Sequence, residues 1–188
     1  MPPDRAKAAW EALGKAKAAA SAGTPVEKAL IEALAFRYAD PQPEDRKPLE
    51  QAYADAMLKV WSAFPKDADV GALYAASLAN LRPWDQWQPD GTPQPGTLEL
   101  VKTLDTVLAL DPNHPLANHM MIHAVEASPR PELADKAADA LRDLQPRIEI
   151  EEGLRLASPV SARWRIATED TQLGGVHIPA GSRLIATF

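Results

Sequence analysis

Apolar residues recur at helical spacing from Asp4 to Leu144, in blocks separated by proline and glycine. Trp10, Leu13, Ala16 and Ala20 share one face of a first helix that ends near Gly23. Thr24-Pro25-Val26-Glu27 has the pattern of a capping box with proline at the first helical position, opening a second helix. Leu30, Ile31, Leu34 and Tyr38 form its apolar face, and Asp40-Pro41 is expected to stop it. After the Pro41–Pro48 stretch, Leu49, Tyr53, Met57, Val60, Trp61 and Phe64 predict a third helix. Asp67 is placed to cap a fourth, with Val70, Leu73, Tyr74, Leu78 and Leu81 inward.

The period then breaks. Pro83 to Pro95 holds four prolines and no repeat of apolar positions, which predicts a loop. Thr97 to Leu110 restores the helical spacing through Leu100, Val101, Leu104 and Leu108, and Asp111-Pro112 ends it. Pro115 opens a helix to about Ala127, and Ser128–Pro131 opens one more to Leu144. Pro112 and Pro146 lie 34 residues apart; Pro65 precedes Pro112 by 47, and the excess equals the 13-residue loop. A 34-residue helix-turn-helix period closed by proline resembles the tetratricopeptide repeat. Ala75 and Ala134 match that family's small positions, whereas Ile122 departs from them.

A resemblance to a bacterial family of tetratricopeptide-repeat proteins runs from about Thr24 to Gln145. It rests on Tyr38-Ala39-Asp40-Pro41, on Leu81-Arg82-Pro83-Trp84-Asp85, and on the run from His114-Pro115 to Ala127-Ser128. At Pro146 the sequence changes character. Glu151 to Val160 resembles the K helix of cytochromes P-450, with Glu152 and Arg155 as its E-x-x-R pair. The likeness continues from Arg165 through Leu173-Gly174-Gly175 to Ile178-Pro179-Ala180-Gly181. Trp164-Arg165-Ile166 reads as a strand, Gly174-Gly175 as a hairpin turn and Pro179-Ala180-Gly181 as a second turn. The expected fold class is mainly α: a tetratricopeptide-like array of helical hairpins over residues 1–146, with a small α+β tail over residues 147–188. The change near Pro146 suggests a join between unrelated coding segments.

Composition narrows the chemistry. The net charge of −6 argues against a phosphate-binding surface, so no nucleic-acid partner is expected. No apolar run approaches the roughly 20 residues that span a bilayer. The N-terminus lacks the charged-then-apolar pattern of a secretory signal, and a cytoplasmic location is the expectation. The chain holds no cysteine, which removes disulfides, thiolate metal sites and cysteine nucleophiles. The tail's resemblance implies a structural Glu152–Arg155 pair and a haem-propionate contact for Arg165. The same family's chemistry needs a cysteine thiolate on iron, and this polypeptide has none. Haem is thus implied by the family of the tail alone, and no cofactor is expected for the chain.

Two further constellations carry possible chemistry. His119, His123 and Glu126 stand at i, i+4 and i+7 on one helix, and His114 sits just before it. That spacing can converge on a zinc-like divalent ion; the weightier reading has these groups lining the groove between repeats. Trp84, Asp85, Trp87 and Asp90 lie on the proline-rich loop. They read as a ligand-binding flap or as indoles plugging a gap between helix pairs, and burial of apolar area favours the plug. His177 is a lone strand histidine, and Glu152–Arg155 as an acid–base pair is outweighed by a structural ion pair. With no complete catalytic set, the leading expectation is a non-enzymatic module that holds a protein or peptide partner in the repeat groove.

Overall fold

The computed structural model describes residues 3–144 and, beyond them, 162–166, 170–173, 176–180 and 183–187. It resolves the chain into two compact units, Met1–Leu144 and Gln145–Phe188.

The first unit is built of seven α-helices: α1 Pro3–Ala19, α2 Pro25–Leu34, α3 Lys47–Ala63, α4 Ala68–Leu81, α5 Thr97–Leu110, α6 Pro115–Val125 and α7 Asp135–Leu144. The described part of the chain is therefore mainly helical. The start signals in the sequence act as expected. Thr24 Oγ1 accepts from the Glu27 amide at 3.3 Å, while Glu27 Oε2 accepts from the Thr24 amide at 2.7 Å. The Thr24 amide and hydroxyl, both donating to Glu27 Oε2, hold the carboxyl below its ordinary pKa of 4.5. Asp67 caps α4 by accepting from the Val70 amide at 3.1 Å.

The second helix stops at Leu34, before the expected Asp40-Pro41. The last turn tightens, with Phe36 N bonding Ala33 O and Arg37 N bonding Leu34 O. The Arg37 carbonyl is then taken by the Arg46 guanidinium at 3.1 Å rather than by a next helical turn. At the other end of α6, a 3-10 turn over Pro131–Ala134 intervenes before α7 begins at Asp135.

Successive helices pack against one another from α1 to α7, and α4 additionally touches α6. Ala33, Tyr53, Met57, Val60, Val70 and Tyr74 form one core among α2, α3 and α4. Ala72, Ala75, Leu100, Leu104, Val107, Ala117, Met121, Val125 and Ala137 form a second among α4 to α7. Trp61 and Leu78 pack against both. Because α4 is flanked by α3, α5 and α6, its small residues are buried as fully as its large ones. Gly71, Ala72, Ala75 and Ser77 are buried, whereas Leu73, Leu78 and Leu81 are half-buried. Ser77 Oγ satisfies its buried hydroxyl on the Tyr74 carbonyl at 2.6 Å.

Among its described residues the second unit contains four short strands: β1 Ala162–Ile166, β2 Thr171–Leu173, β3 Val176–Ile178 and β4 Arg183–Thr187. β1 pairs antiparallel with β4, setting Trp164 opposite Ile185 and Arg165 opposite Leu184. β2 pairs antiparallel with β3, and the Gly174-Gly175 turn expected between them lies outside the described residues. The Asp170 carboxylate accepts from the Ala180 amide at 2.8 Å. Glu152, Arg155 and the helix expected around them lie outside the described residues. Among the described residues no helix is long and apolar enough to cross a membrane.

Candidate functional site

The first turn of α6 is organised by a histidine. His114 Nδ1 accepts from the Ala117 amide at 3.2 Å, so the side chain is the helix N-cap. A nitrogen that accepts from N–H carries no proton, which places the proton on Nε2. Nε2 lies 3.0 Å from Asp69 Oδ1 and donates to it. Asp69 belongs to the first turn of α4. One buried imidazole therefore caps α6 and ties its start to the start of α4. Asn118 supports the same turn by donating to the Pro112 and His114 carbonyls, both at 3.0 Å.

This geometry separates His114 from the other members of the expected metal set, because both of its ring nitrogens are engaged. His119, His123 and Glu126 do come together on α6. His123 Nδ1 lies 3.0 Å from Glu126 Oε1, and the His119 and His123 rings meet edge to face with centroids 4.7 Å apart. All three side chains are half-buried. Among the described residues no group of three or more His, Cys, Asp or Glu side chains is gathered as a metal ion requires. What the last turns of α6 and its C-cap present is a half-buried cluster of two imidazoles and a carboxylate.

The proline-rich segment is a pinned loop. Gln94 N bonds Gln86 O at 2.8 Å, Gln88 N bonds Thr92 O at 2.9 Å, and Trp87 bridges to Pro93. Thr97 Oγ1 donates to the Gln86 carbonyl at 2.7 Å, fixing the loop to the start of α5. Trp87 Nε1 donates to the Ala124 carbonyl at 2.7 Å, fixing it to the last turn of α6. Gly91, at φ +84°, lies so near Pro129 that a Cβ would stand 2.5 Å from its ring. The Asp90 carboxyl is held below its ordinary pKa by bonds from Thr92.

The two indoles on this loop behave differently. Trp87 is half-buried and acts as a fastener, as the plug reading expects. Trp84 does not: its side chain is 71 % exposed. Its backbone sits at φ +56°, and among the described residues it is the non-glycine at positive φ. That conformation costs an ordinary residue roughly 1–2 kcal/mol. The plug is thus one tryptophan rather than two: Trp87 is fastened to α6, and Trp84 stands in solvent.

The Tyr38–Pro41 stretch also proves to be a joint. Glu50 bonds Arg37 Nε at 3.0 Å and Arg46 Nη2 at 2.7 Å, with all three side chains largely covered. The Arg37 guanidinium lies 5.0 Å above the Tyr53 ring and that of Arg46 5.7 Å above Tyr38. Burial pushes the Tyr53 phenol above its ordinary pKa, against the pull of Arg37. These partners, and Asp69 for His114, were not foreseen from the sequence. Arg37 to Arg46, Arg37 to Glu50 and Asp69 to His114 are joined across 9, 13 and 45 residues of chain with no periodic signal, whereas Arg46 and Glu50 stand at i, i+4.

In the second unit Arg165 lies on β1, paired with Leu184. His177 lies on β3, exposed, with Nε2 4.0 Å from Asp170.

A 37-residue segment of the chain is 62 % identical to cytochrome P450 109 of Bacillus spizizenii. The match covers 20 % of this chain and 9 % of that protein, so the chain spans less than a tenth of the length of the curated relative it matches. This supports the cytochrome P-450 fragment read in the tail. No protein-family model matches the chain, and no solved structure matches it.

Proposed function

We propose that residues 1–146 are a tetratricopeptide-type array of helical hairpins that holds a protein or peptide partner, and that the cytochrome P-450-like tail does not make the chain a monooxygenase. The hairpins are α2/α3, α4/α5 and α6/α7, each closed near a proline. The observation that carries the reading is the contact of α4 with α6 across α5. When first helices of successive hairpins touch, the pairs stack side by side and one face stays open to a ligand. The half-buried cluster of His119, His123 and Glu126 on α6 and its C-cap supplies that face with polar groups matched to a peptide backbone.

The donor set argues against haem chemistry in this polypeptide. The thiolate that such iron requires has no cysteine to come from. Arg165, the residue that resembles a propionate contact, lies on the short strand β1. His114, Arg37, Arg46 and Glu50 are occupied by helix capping and helix joining, which suits binding rather than turnover.

Panning a random peptide display library with the full chain tests the reading. Enriched peptides are expected to lose affinity by tenfold or more for the His119→Ala/His123→Ala protein. Peptides that bind both proteins equally would remove α6 from the site. A chain that enriches no peptide yet turns over a substrate would refute the proposal.

A further inference from the structure

We infer that Trp84, with Asp85 beside it, is a docking point for an arginine side chain of the partner protein; the inference deepens the proposed docking role and rests on it. Trp84 is the most exposed large apolar side chain among the described residues, at 71 %. It is also held rigidly. The turn that carries it is closed by Gln94 Nε2 on Asp85 Oδ1 at 3.2 Å, by Gln86 Nε2 on the Arg82 carbonyl at 2.8 Å, and by the Trp87 anchor on α6. A strained backbone that holds an indole out of the core has no packing reward at that residue. Such strain collects at binding sites, where it pre-organises a contact.

The surroundings select the occupant. Residues 82–99 carry three carboxylates, Asp85, Asp90 and Glu99, against one cation, Arg82. All three carboxylate residues are exposed, and the Asp85 side chain is 58 % accessible. The indole face attracts a cation more strongly than any other ring. A guanidinium stacks flat on it while its fork reaches a neighbouring carboxylate, which an ammonium does less well. Asp85 already accepts one guanidinium, that of Arg82, across a long and exposed 3.3 Å contact. An apolar occupant would instead strip water from Asp85 without replacing its hydrogen bonds.

The test follows the indole N–H signals of the full chain by NMR while N-acetyl-arginine amide is added. N-acetyl-citrulline amide and sodium chloride serve as controls. The Trp84 signal, assigned by its loss in Trp84→Asn, is expected to move saturably with the arginine compound and not with citrulline. The Trp87 signal stays in place. Asp85→Asn weakens the response by about threefold, the range of an exposed ion pair. Trp84→Asn abolishes it while leaving Tm unchanged or about 2 °C higher, since asparagine accepts the left-handed backbone. A Trp84 signal that does not move, or that moves equally with citrulline, overturns the inference. So does a fall in Tm of more than about 5 °C in Trp84→Asn, which would make the indole structural. Library panning reads binding through α6 and this titration reads Trp84, so a failure of the docking role is distinguishable from a failure of the inference at Trp84.

Discussion

Gly71 lies where three helices meet, and replacing it with alanine sets two known effects against each other. Alanine in a helix interior is favoured over glycine by about 0.8–1 kcal/mol. At this position, however, the new Cβ would stand 2.5 Å from Val107 Cγ2 and 2.9 Å from the far edge of the Trp61 ring. Carbon atoms prefer about 3.5–4.0 Å. Retreat is blocked on both sides: Val107 is fully buried, and Trp61 is packed against both cores. Overpacking of this kind costs about 1–3 kcal/mol, and two contacts place the site in the upper part of that range. The expected net loss for Gly71→Ala is about 1–2 kcal/mol, a fall in Tm of about 3–6 °C for a chain of this size. Val107→Ala alone opens a cavity and destabilises. Combined with Gly71→Ala, it removes the closest clash, so the double variant should fall short of additivity by about 1 kcal/mol. Urea unfolding of the four proteins measures the coupling. A Gly71→Ala protein more stable than wild type, or strictly additive variants, would show that α3, α4 and α5 do not pack at the distance described.

Other outcomes follow from the same contacts. His114→Ala removes an N-cap and leaves the Ala117 amide unpaired, costing about 1–2 kcal/mol in urea unfolding; His114→Asn, which can still cap, recovers at least half of it. Trp87→Phe keeps the ring and loses the bond to the Ala124 carbonyl, lowering stability by about 1–2 kcal/mol, read as a shift in urea midpoint with unchanged m. Glu27 has a folded pKa below 4.5, so its contribution is present above that pH and disappears as pH falls through the lower folded value. Unfolding of Glu27→Gln should accordingly show a shallower loss of stability below pH 4.5 than wild type. Added haem, reduced under carbon monoxide, should give no thiolate-type difference band, because the chain has no cysteine.

The helices were legible in the sequence because their signals are local. Thr24 with Glu27, and Asp67 with Val70, meet within one turn, so spacing alone identifies them. The inward face of α5 was legible only in part: Leu100 and Leu104 are buried as expected, but Val101 and Leu108 are half-buried and Thr103 and Val107 are buried instead, because α4 and α6 both pack on this helix. The fourth helix shows where this fails. Its buried set includes Gly71, Ala72 and Ser77 because neighbours approach from three directions, and a single apolar stripe cannot encode that. The boundary near Leu34 was misplaced because the competing partner of the Arg37 carbonyl is Arg46, a contact made only once the chain has turned back.

The candidate site was less legible, for a physical reason that also bears on function. Residue types that signal chemistry in a sequence are the same types that cap helices and join them. His114 is spent on the Ala117 amide and on Asp69; Arg37, Glu50 and Arg46 are spent on one another. The links from His114 to Asp69 and from Arg37 to Glu50 have no periodic trace, and the i, i+4 spacing of Arg46 and Glu50 is common to many helical pairs, so spacing alone cannot distinguish a ligand from a structural link. Trp84 is the opposite case. Its sequence context, an indole among prolines, looks like a plug, and burial alone would argue for one. The structure separates the two indoles: Trp87 reaches the Ala124 carbonyl, while Trp84, three residues earlier, stands at φ +56° and in solvent. A residue held out at conformational cost is informative where a buried one is not. Removing it should cost the fold little, and any loss that follows must be a loss of binding.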